Sequence, residues 1–212
     1  MNIKIRRENE ADYQAVEVLT REAFWNLDRP GCDEHYLVHT LRNHPDFLPE
    51  LAFVAVDGEQ LVGSILFTKS RVEREDGMAF DTLTFGPLCV RPDHQRRGIG
   101  KELVRHAAKS AAGLGHRAFI ILGSPNNYCP MGFRNTKDFG ISDEQGRYPY
   151  GQLALELYAD ALGGVNGKFH YSSAYEFDPN EAEEYDKRFP EKEKRSQPSQ
   201  VLFAMECQAF LD

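Results

Sequence analysis

Gln95-Arg96-Arg97-Gly98-Ile99-Gly100 follows an apolar run, Leu83 to Val90, and opens a helix-like run, Ile99 to Ala112. A strand, a loop with closely spaced glycines and a helix start make a layout that grips phosphate. The N–H groups of a helix's first turn have no intrahelical partner and point out from the positive end of the helix dipole. Gly98 and Gly100 let the backbone come close to a ligand. Arg96, Arg97 and Lys101 add positive charge.

The surrounding pattern places this loop in an α/β chain. Ile3 and Ile5 alternate with Lys4 and Arg6 as a strand does. Ala15, Val18, Leu19, Ala23 and Phe24 recur at helical spacing within Glu10–Asn26, and Asp33–Leu41 reads as a second helix. Leu51–Val56 and Leu61–Phe67 flank Asp57-Gly58 as an antiparallel hairpin. Phe80–Val90 is the next strand. Its Gly86-Pro87 cannot keep a regular ladder, so pairing is expected to break just before the glycine loop. The helix from Ile99 ends at Gly113 and Gly115. Ala118–Leu122 is a short buried strand, and Asn126–Met131 a short helix stopped by Gly132. Leu153–Tyr158 is a further strand, with Lys168–Tyr171 expected to pair with it. Val201–Leu211 reads as an apolar terminal helix that docks.

Composition narrows the function. The 212 residues carry a net charge of −8, which disfavours a protein that lives on nucleic acid. Arg91, His94, Arg96, Arg97, Lys101, Arg105, His106 and Lys109 cluster locally, opposed only by Asp93 and Glu102. A basic patch on an acidic protein suits a small anionic ligand. The acidic remainder either serves solubility only or mildly favours a cationic co-substrate. No apolar run is long enough to span a bilayer, and the N-terminus starts polar, without a signal segment. The four cysteines, Cys32, Cys89, Cys129 and Cys207, fit no metal-ligand spacing. A reduced, cytoplasmic, metal-free protein is expected.

Three motifs in order resemble the GNAT acetyltransferase superfamily over roughly residues 1 to 175. Gly86-Pro87-Leu88-Cys89-Val90-Arg91-Pro92 is similar to the end of that family's fourth strand. Gln95 to Gly100 matches its pyrophosphate loop, (Q/R)-x-x-G-x-(G/A). Tyr128 with Gly132-Phe133 is similar to its Y-x-x-x-G-F segment. The resemblance implies a mixed, mostly antiparallel central sheet flanked by helices and splayed at the fourth strand. It implies a domain over 1–177, followed by a charged, partly helical extension over 178–212. Gly123 to Asn127, Leu41-Arg42 with Asp46 to Leu51, and Tyr158 to Tyr171 resemble a prokaryotic subgroup of predicted acetyltransferases.

By that resemblance the co-substrate is acetyl-CoA. The main chain of Leu88, Cys89 and Val90 would pair with pantetheine like an added strand. Gln95, Arg96, Arg97, Gly98, Ile99, Gly100 and Lys101 would hold the pyrophosphate, and an N–H near Leu88 would face the thioester oxygen. Tyr128 matches the position that protonates the departing thiolate. Asn126 and Asn127 could touch the cofactor, Asn127 foremost, or one of them caps the short helix. The acceptor implied is a small-molecule or peptide amine. The general base has no clear motif. Asp81, Glu22, Asp33, Glu34 and His35 are the candidates, and His35 has the most suitable ordinary pKa. Two alternatives stand beside this: a non-catalytic acyl-CoA-binding module, and a transferase for a longer acyl-CoA. Residues 178–212 could cover the acceptor, form a homodimer, or be inert.

Overall fold

A computed structural model describes residues 3–212. The architecture is mixed α/β, with a mostly antiparallel central sheet flanked by helices. The chain forms two compact units: one contains the chain up to Phe67, Gly86–Ala107 and Ser173–Phe203, the other Thr68–Phe85, Ala108–Ser172 and Ala204–Asp212.

In the first unit, strand β1 (Ile3–Arg7) pairs antiparallel with β2 (Phe53–Asp57), which pairs with the first part of β3 (Gln60–Glu73). Gly58 turns the hairpin at φ +62°, a conformation few other residues accept. The β2 strand starts at Phe53, two residues later than the sequence pattern suggests, because Pro49–Leu51 forms a 3-10 turn. Both faces of this sheet are covered. On one side Val54 and Leu66 join Val16 of α1 (Tyr13–Phe24) and Leu37, Val38 and Leu41 of α2 (Glu34–Leu41) in one core cluster. On the other, Phe53 meets His106 of α3 (Ile99–Gly113) edge-on, ring centroids 4.7 Å apart. The approach of α3 depends on Gly63: a Cβ there would lie 3.0 Å from Leu103 Cδ1 and 3.2 Å from both Ile99 Cγ2 and the Cys89 carbonyl.

The charged segment after Phe177 folds onto α1 and α2 in the same unit. Helix α5 (Pro179–Asp186) is capped by Asp178 and buries Ala182 and Tyr185. Tyr185 donates its hydroxyl to Glu17 Oε2 at 2.7 Å, and Arg21 clasps Asp186 at 2.6 Å. Arg42 bridges Glu8 and Glu17, at 2.7 and 2.9 Å. Further on, Trp25 and Asn26 both donate to the Glu193 carbonyl at 3.0 Å. Within the charge run, Asp186 and Lys192 pair with Arg21 and Glu22 of α1, whereas Glu183–Lys194 and Glu184–Lys187 pair locally.

In the second unit, the last part of β3 and the first part of β4 (Ala79–Val90) are joined by a turn over Arg74–Met78. The β4 strand pairs in parallel with β5 (Ala118–Leu122) at Leu83 opposite Phe119. The next pairing is antiparallel, to β9 (Gln152–Glu156), which also takes the short β6 (Arg134–Asn135). The segment expected to join β9 does not. Strand β10 (Gly167–His170) pairs antiparallel with β3, Phe169 opposite Val72, and in parallel with β7 (Ile141–Ser142). Burial explains the choice, since Phe169, Val72 and Ile141 share one core cluster with Ile120 and Val165. Glycine is required at 167, where a Cβ would collide with the Glu73 carbonyl.

The apolar terminal helix forms as α6 (Pro198–Gln208), but it does not bury an apolar face. Val201, Leu202 and Met205 are 62%, 63% and 64% exposed. Polar ties hold it instead: Ser199 Oγ donates to the Leu27 carbonyl at 2.7 Å and Gln200 Nε2 to that of Asn26 at 3.1 Å. After it, β11 (Phe210–Leu211) pairs with β8 (Tyr148–Pro149).

Gly63→Val tests the seating of α3. Overpacking against a helix and a backbone carbonyl is expected to cost ~1–3 kcal/mol in denaturant unfolding. Unchanged stability would mean that α3 has room to shift.

Candidate active site

The end of β4 has two different faces. Cys89 is buried, with its Sγ 3.2 Å from Ser64 Oγ and 3.5 Å from Thr20 Oγ1 of α1. Burial pushes this thiol's pKa up, so it packs as a small apolar group. Leu88 and Val90 point the other way and are half-buried; a Cβ on Gly100 would touch Val90 Cγ2 at 3.7 Å and Leu88 Cδ2 at 3.9 Å. The Gly86–Pro87 peptide is cis. Tyr175 directs its hydroxyl at the Gly86 carbonyl from 3.5 Å. That carbonyl faces a side chain at the point where ladder pairing was expected to fail.

Beyond β4, the Arg91 N–H bonds the Val62 carbonyl at 2.9 Å, a 3-10 turn covers Pro92–His94, and Gln95 Nε2 donates back to the Val90 carbonyl at 3.1 Å. Arg96 and Gly98 both take the left-handed conformation, at φ +60° and +84°. A non-glycine residue there is uncommon, and such turns create concave nests of N–H groups that suit anions. Buried Ile99 anchors the start of α3, and Glu102 N–H closes the first turn on the Gly98 carbonyl at 3.0 Å. The N–H groups of Ile99, Gly100 and Lys101 lie in that first turn, where no intrahelical acceptor exists. Arg96 and Arg97 are exposed beside them. The residues predicted from sequence, Gln95 to Lys101, thus run continuously from the left-handed turn into the first turn of α3. Alongside α1 in the same unit is an open pocket of about 770 Å³, lined by Ala15, Val18, Glu22, Leu61 and Arg91 among others.

Tyr128 belongs to the second unit. Helix α4 (Pro125–Tyr128) is a single turn with proline at its first position, followed by a 3-10 turn that Gly132 ends at φ +99°. The Tyr128 ring packs 5.4 Å from that of Phe133 and 5.8 Å from that of Phe85, the residue just before Gly86 in the chain. Gly123 is required beneath it, because a Cβ would overlap the tyrosine ring. Loss of hydration pushes the Tyr128 pKa up to about 12, so the phenol keeps its proton at neutral pH. Asn126 and Asn127 lie inside the turn and are exposed; the cap position belongs to Ser124, whose hydroxyl goes to Glu206 Oε1 at 3.0 Å. Neither asparagine caps α4. Asn127 remains exposed beside Tyr128.

The structure does not place His35 where a base could work. The imidazole is fully buried, with Nδ1 3.5 Å from Cys32 Sγ. Its Nε2 is 3.1 Å from Asp186 Oδ1 but out of hydrogen-bonding alignment. The Phe189 ring packs edge-on at 5.1 Å. Burial lowers its pKa to about 4 against the pull of Asp186, so it is neutral and sealed from any acceptor. Cys32 beside it is no nucleophile, since burial raises its thiol well above the ordinary range. Among the other acidic candidates, Glu22 pairs with Lys192 at 2.8 Å, Asp33 pairs with Arg29, and Asp81 is exposed. Burial raises Glu34 to about 7. Among the described residues there is no cluster of His, Cys, Asp or Glu able to hold a metal, and no helix long and apolar enough to cross a membrane.

Comparison with known proteins agrees with this geometry. The model of the acetyltransferase (GNAT) family matches residues 21–128, about half of the chain. The GNAT family N-acetyltransferase YhbS from Escherichia coli, solved with CoA, superposes with a TM-score of 0.72 at 26% identity, covering 82% of this chain and 92% of that one. A GNAT family acetyltransferase from Brucella melitensis, solved with acetyl-CoA, gives 0.65 at 24% identity, covering 82% and 99%. An acetyltransferase of the GNAT family from Staphylococcus aureus shares the fold, with a TM-score of 0.54 at 14% identity, covering 74% and 100%. No curated protein matches the chain in sequence.

The burial of His35 has a pH signature. Its folded pKa of about 4 lies below the ordinary 6.5, so between these values the unfolded chain takes up a proton that the folded chain refuses. The stability it contributes is complete above about pH 6.5 and declines as pH falls toward 4. Glu34 acts in the opposite sense, because its raised pKa costs stability as pH rises toward 7. Unfolding midpoints for wild type and His35→Gln isolate the histidine. Wild type should lose more stability on acidification than the variant, and parallel curves would show that His35 is accessible to protons in the fold.

Proposed function

Because the chain belongs to the acetyltransferase (GNAT) family and is an acetyl-CoA-dependent transferase, we propose that it transfers acetyl directly to a primary amine of a small molecule or peptide. The observation that carries this reading is the placement of Tyr128, whose ring packs on Phe85, immediately before the Gly86-Pro87 segment.

In this reading the nest at Arg96 and Gly98, with the first turn of α3 and the side chains of Gln95, Arg97 and Lys101, holds the pyrophosphate of acetyl-CoA. Hydrogen bonds to a charged group contribute ~1.5–3 kcal/mol each, so a few suffice for anchoring. Leu88, Cys89 and Val90 offer main-chain groups to the pantetheine amides, a role supported by the inward-facing Cys89 side chain. Asn127 lies on the exposed side of α4 as a further contact to the cofactor. The amine attacks the thioester carbon; a C–N bond forms, the C–S bond breaks, and the amine loses a proton to solvent. An N–H near Leu88 stabilises the charge that develops on the carbonyl oxygen, an effect worth ~2.7–4 kcal/mol for one such donor. Tyr128 gives its proton to the departing thiolate and regains one from solvent. The four cysteines, present as thiols, support a reducing, cytoplasmic setting.

Acetyl-CoA should raise the melting temperature of the protein. Tyr128→Phe should lower kcat by ~10²–10⁴-fold while leaving the KM for acetyl-CoA nearly unchanged. Absence of stabilisation at millimolar acetyl-CoA, or an unaffected kcat in the variant, would contradict the assignment.

A further inference from the structure

The contact between Ser124 and Glu206 joins residues 82 positions apart. Ser124 opens the single turn of α4: its carbonyl accepts the N–H groups of Asn127 at 2.9 Å and Tyr128 at 3.3 Å. Glu206 is therefore tied to the residue one helical turn before Tyr128, about 6 Å along the axis. Its backbone position is fixed just downstream. Tyr150 N–H bonds the Ala209 carbonyl at 2.8 Å, and Phe210 and Leu211 pair with Pro149 and Tyr148.

The carboxylate itself is only half used. Oε1 accepts the Ser124 hydroxyl, whereas Oε2 has no hydrogen-bond or ion-pair partner among the described residues. Glu206 is half-buried, and among the described residues no lysine or arginine pairs with it. Most other carboxylates in the C-terminal segment, including Glu181, Glu183, Glu184 and Asp186, have a tyrosine, lysine or arginine partner. Met205, its neighbour on α6, is 64% exposed, and Leu122, two residues before Ser124, is 55% exposed. A half-buried carboxylate without a counter-charge, on a helix whose apolar side chains are exposed, matches an ammonium group carried on an apolar stem.

We propose that Glu206 binds the ammonium group of the acceptor through Oε2, making it the residue that selects alkylamines that are cationic at neutral pH. Ser124 is its positioning residue. This rests on the acetyl-transfer reading above. Binding concerns the ammonium form; the proton leaves to solvent before the amine attacks.

The test is steady-state kinetics with acetyl-CoA and two acceptor panels, primary alkylamines and anilines, the latter neutral at pH 7.5. Glu206→Gln keeps an acceptor for the Ser124 hydroxyl and removes the charge. It should raise the KM for alkylamines about tenfold or more, as expected for loss of a charge-assisted bond. The KM values for anilines and for acetyl-CoA, and the melting temperature, should not change. Ser124→Ala should raise the alkylamine KM by a smaller factor. An unchanged alkylamine KM in Glu206→Gln, or an equal loss for anilines, would overturn the role of Glu206 and leave acetyl transfer standing. Wild-type protein that is stabilised by acetyl-CoA but acetylates neither panel would overturn the transfer reading, and Glu206's role with it.

Discussion

The closeness of α3 to strand β3 at Gly63 is the constraint on which the Gln95–Lys101 loop depends. With no side chain at 63, Ile99 and Leu103 sit directly on the sheet, within reach of the Cys89 carbonyl. Ile99 is the first residue of α3, so seating it also fixes the first turn and its free N–H groups. The left-handed turn at Arg96 and Gly98 then connects the end of β4 to that fixed helix start. Cys89 secures the other side, lodged between Ser64 and Thr20. The loop is exposed, but both of its ends are pinned in the core, which is how a surface segment can hold a rigid array of donors.

The C-terminal segment shows how charge can be structural. Arg21, Arg42, Glu8 and Glu17 would be costly to bury singly. Here Arg42 lies between two carboxylates, and Asp186 and Tyr185 of α5 complete the set for Arg21 and Glu17. His35 is enclosed by the same docking, which is why an imidazole with a suitable ordinary pKa is unavailable as a base. Farther along the segment, the Glu193 carbonyl accepts from Trp25 and Asn26, and Glu206 accepts from Ser124.

Local patterns made much of this legible. The glycine spacing at 98 and 100, the apolar stripe from Ile99 and the hairpin at Asp57-Gly58 are each encoded within a dozen residues, and they fold as read. The short helix bearing Tyr128 is likewise set by Pro125 at its start and Gly132 after it. Long-range pairings were not legible. The β10 strand has the alternation of any edge strand, and only the shared burial of Phe169 with Val72 and Ile141 sends it to β3 rather than β9. His35 carries no signal of burial, because Phe189 and Asp186 that enclose it lie some 150 residues away in a charge-rich stretch. Glu206 was equally hidden, one acid in an apolar helix, until the fold brought Ser124 to it.

The central claim is that the Gln95–Lys101 loop anchors the pyrophosphate of an acyl-CoA while β4 and Tyr128 handle the acyl end. Calorimetric titration with CoA and with pantetheine, which lacks the pyrophosphate, tests it most directly. Wild type should bind CoA at least about a hundredfold more tightly than pantetheine, the yield of two charge-assisted hydrogen bonds or more. Gly98→Val, which cannot hold φ +84° without strain, should abolish that difference by weakening CoA alone. Equal affinities for the two ligands, or full CoA binding by Gly98→Val, would contradict the account.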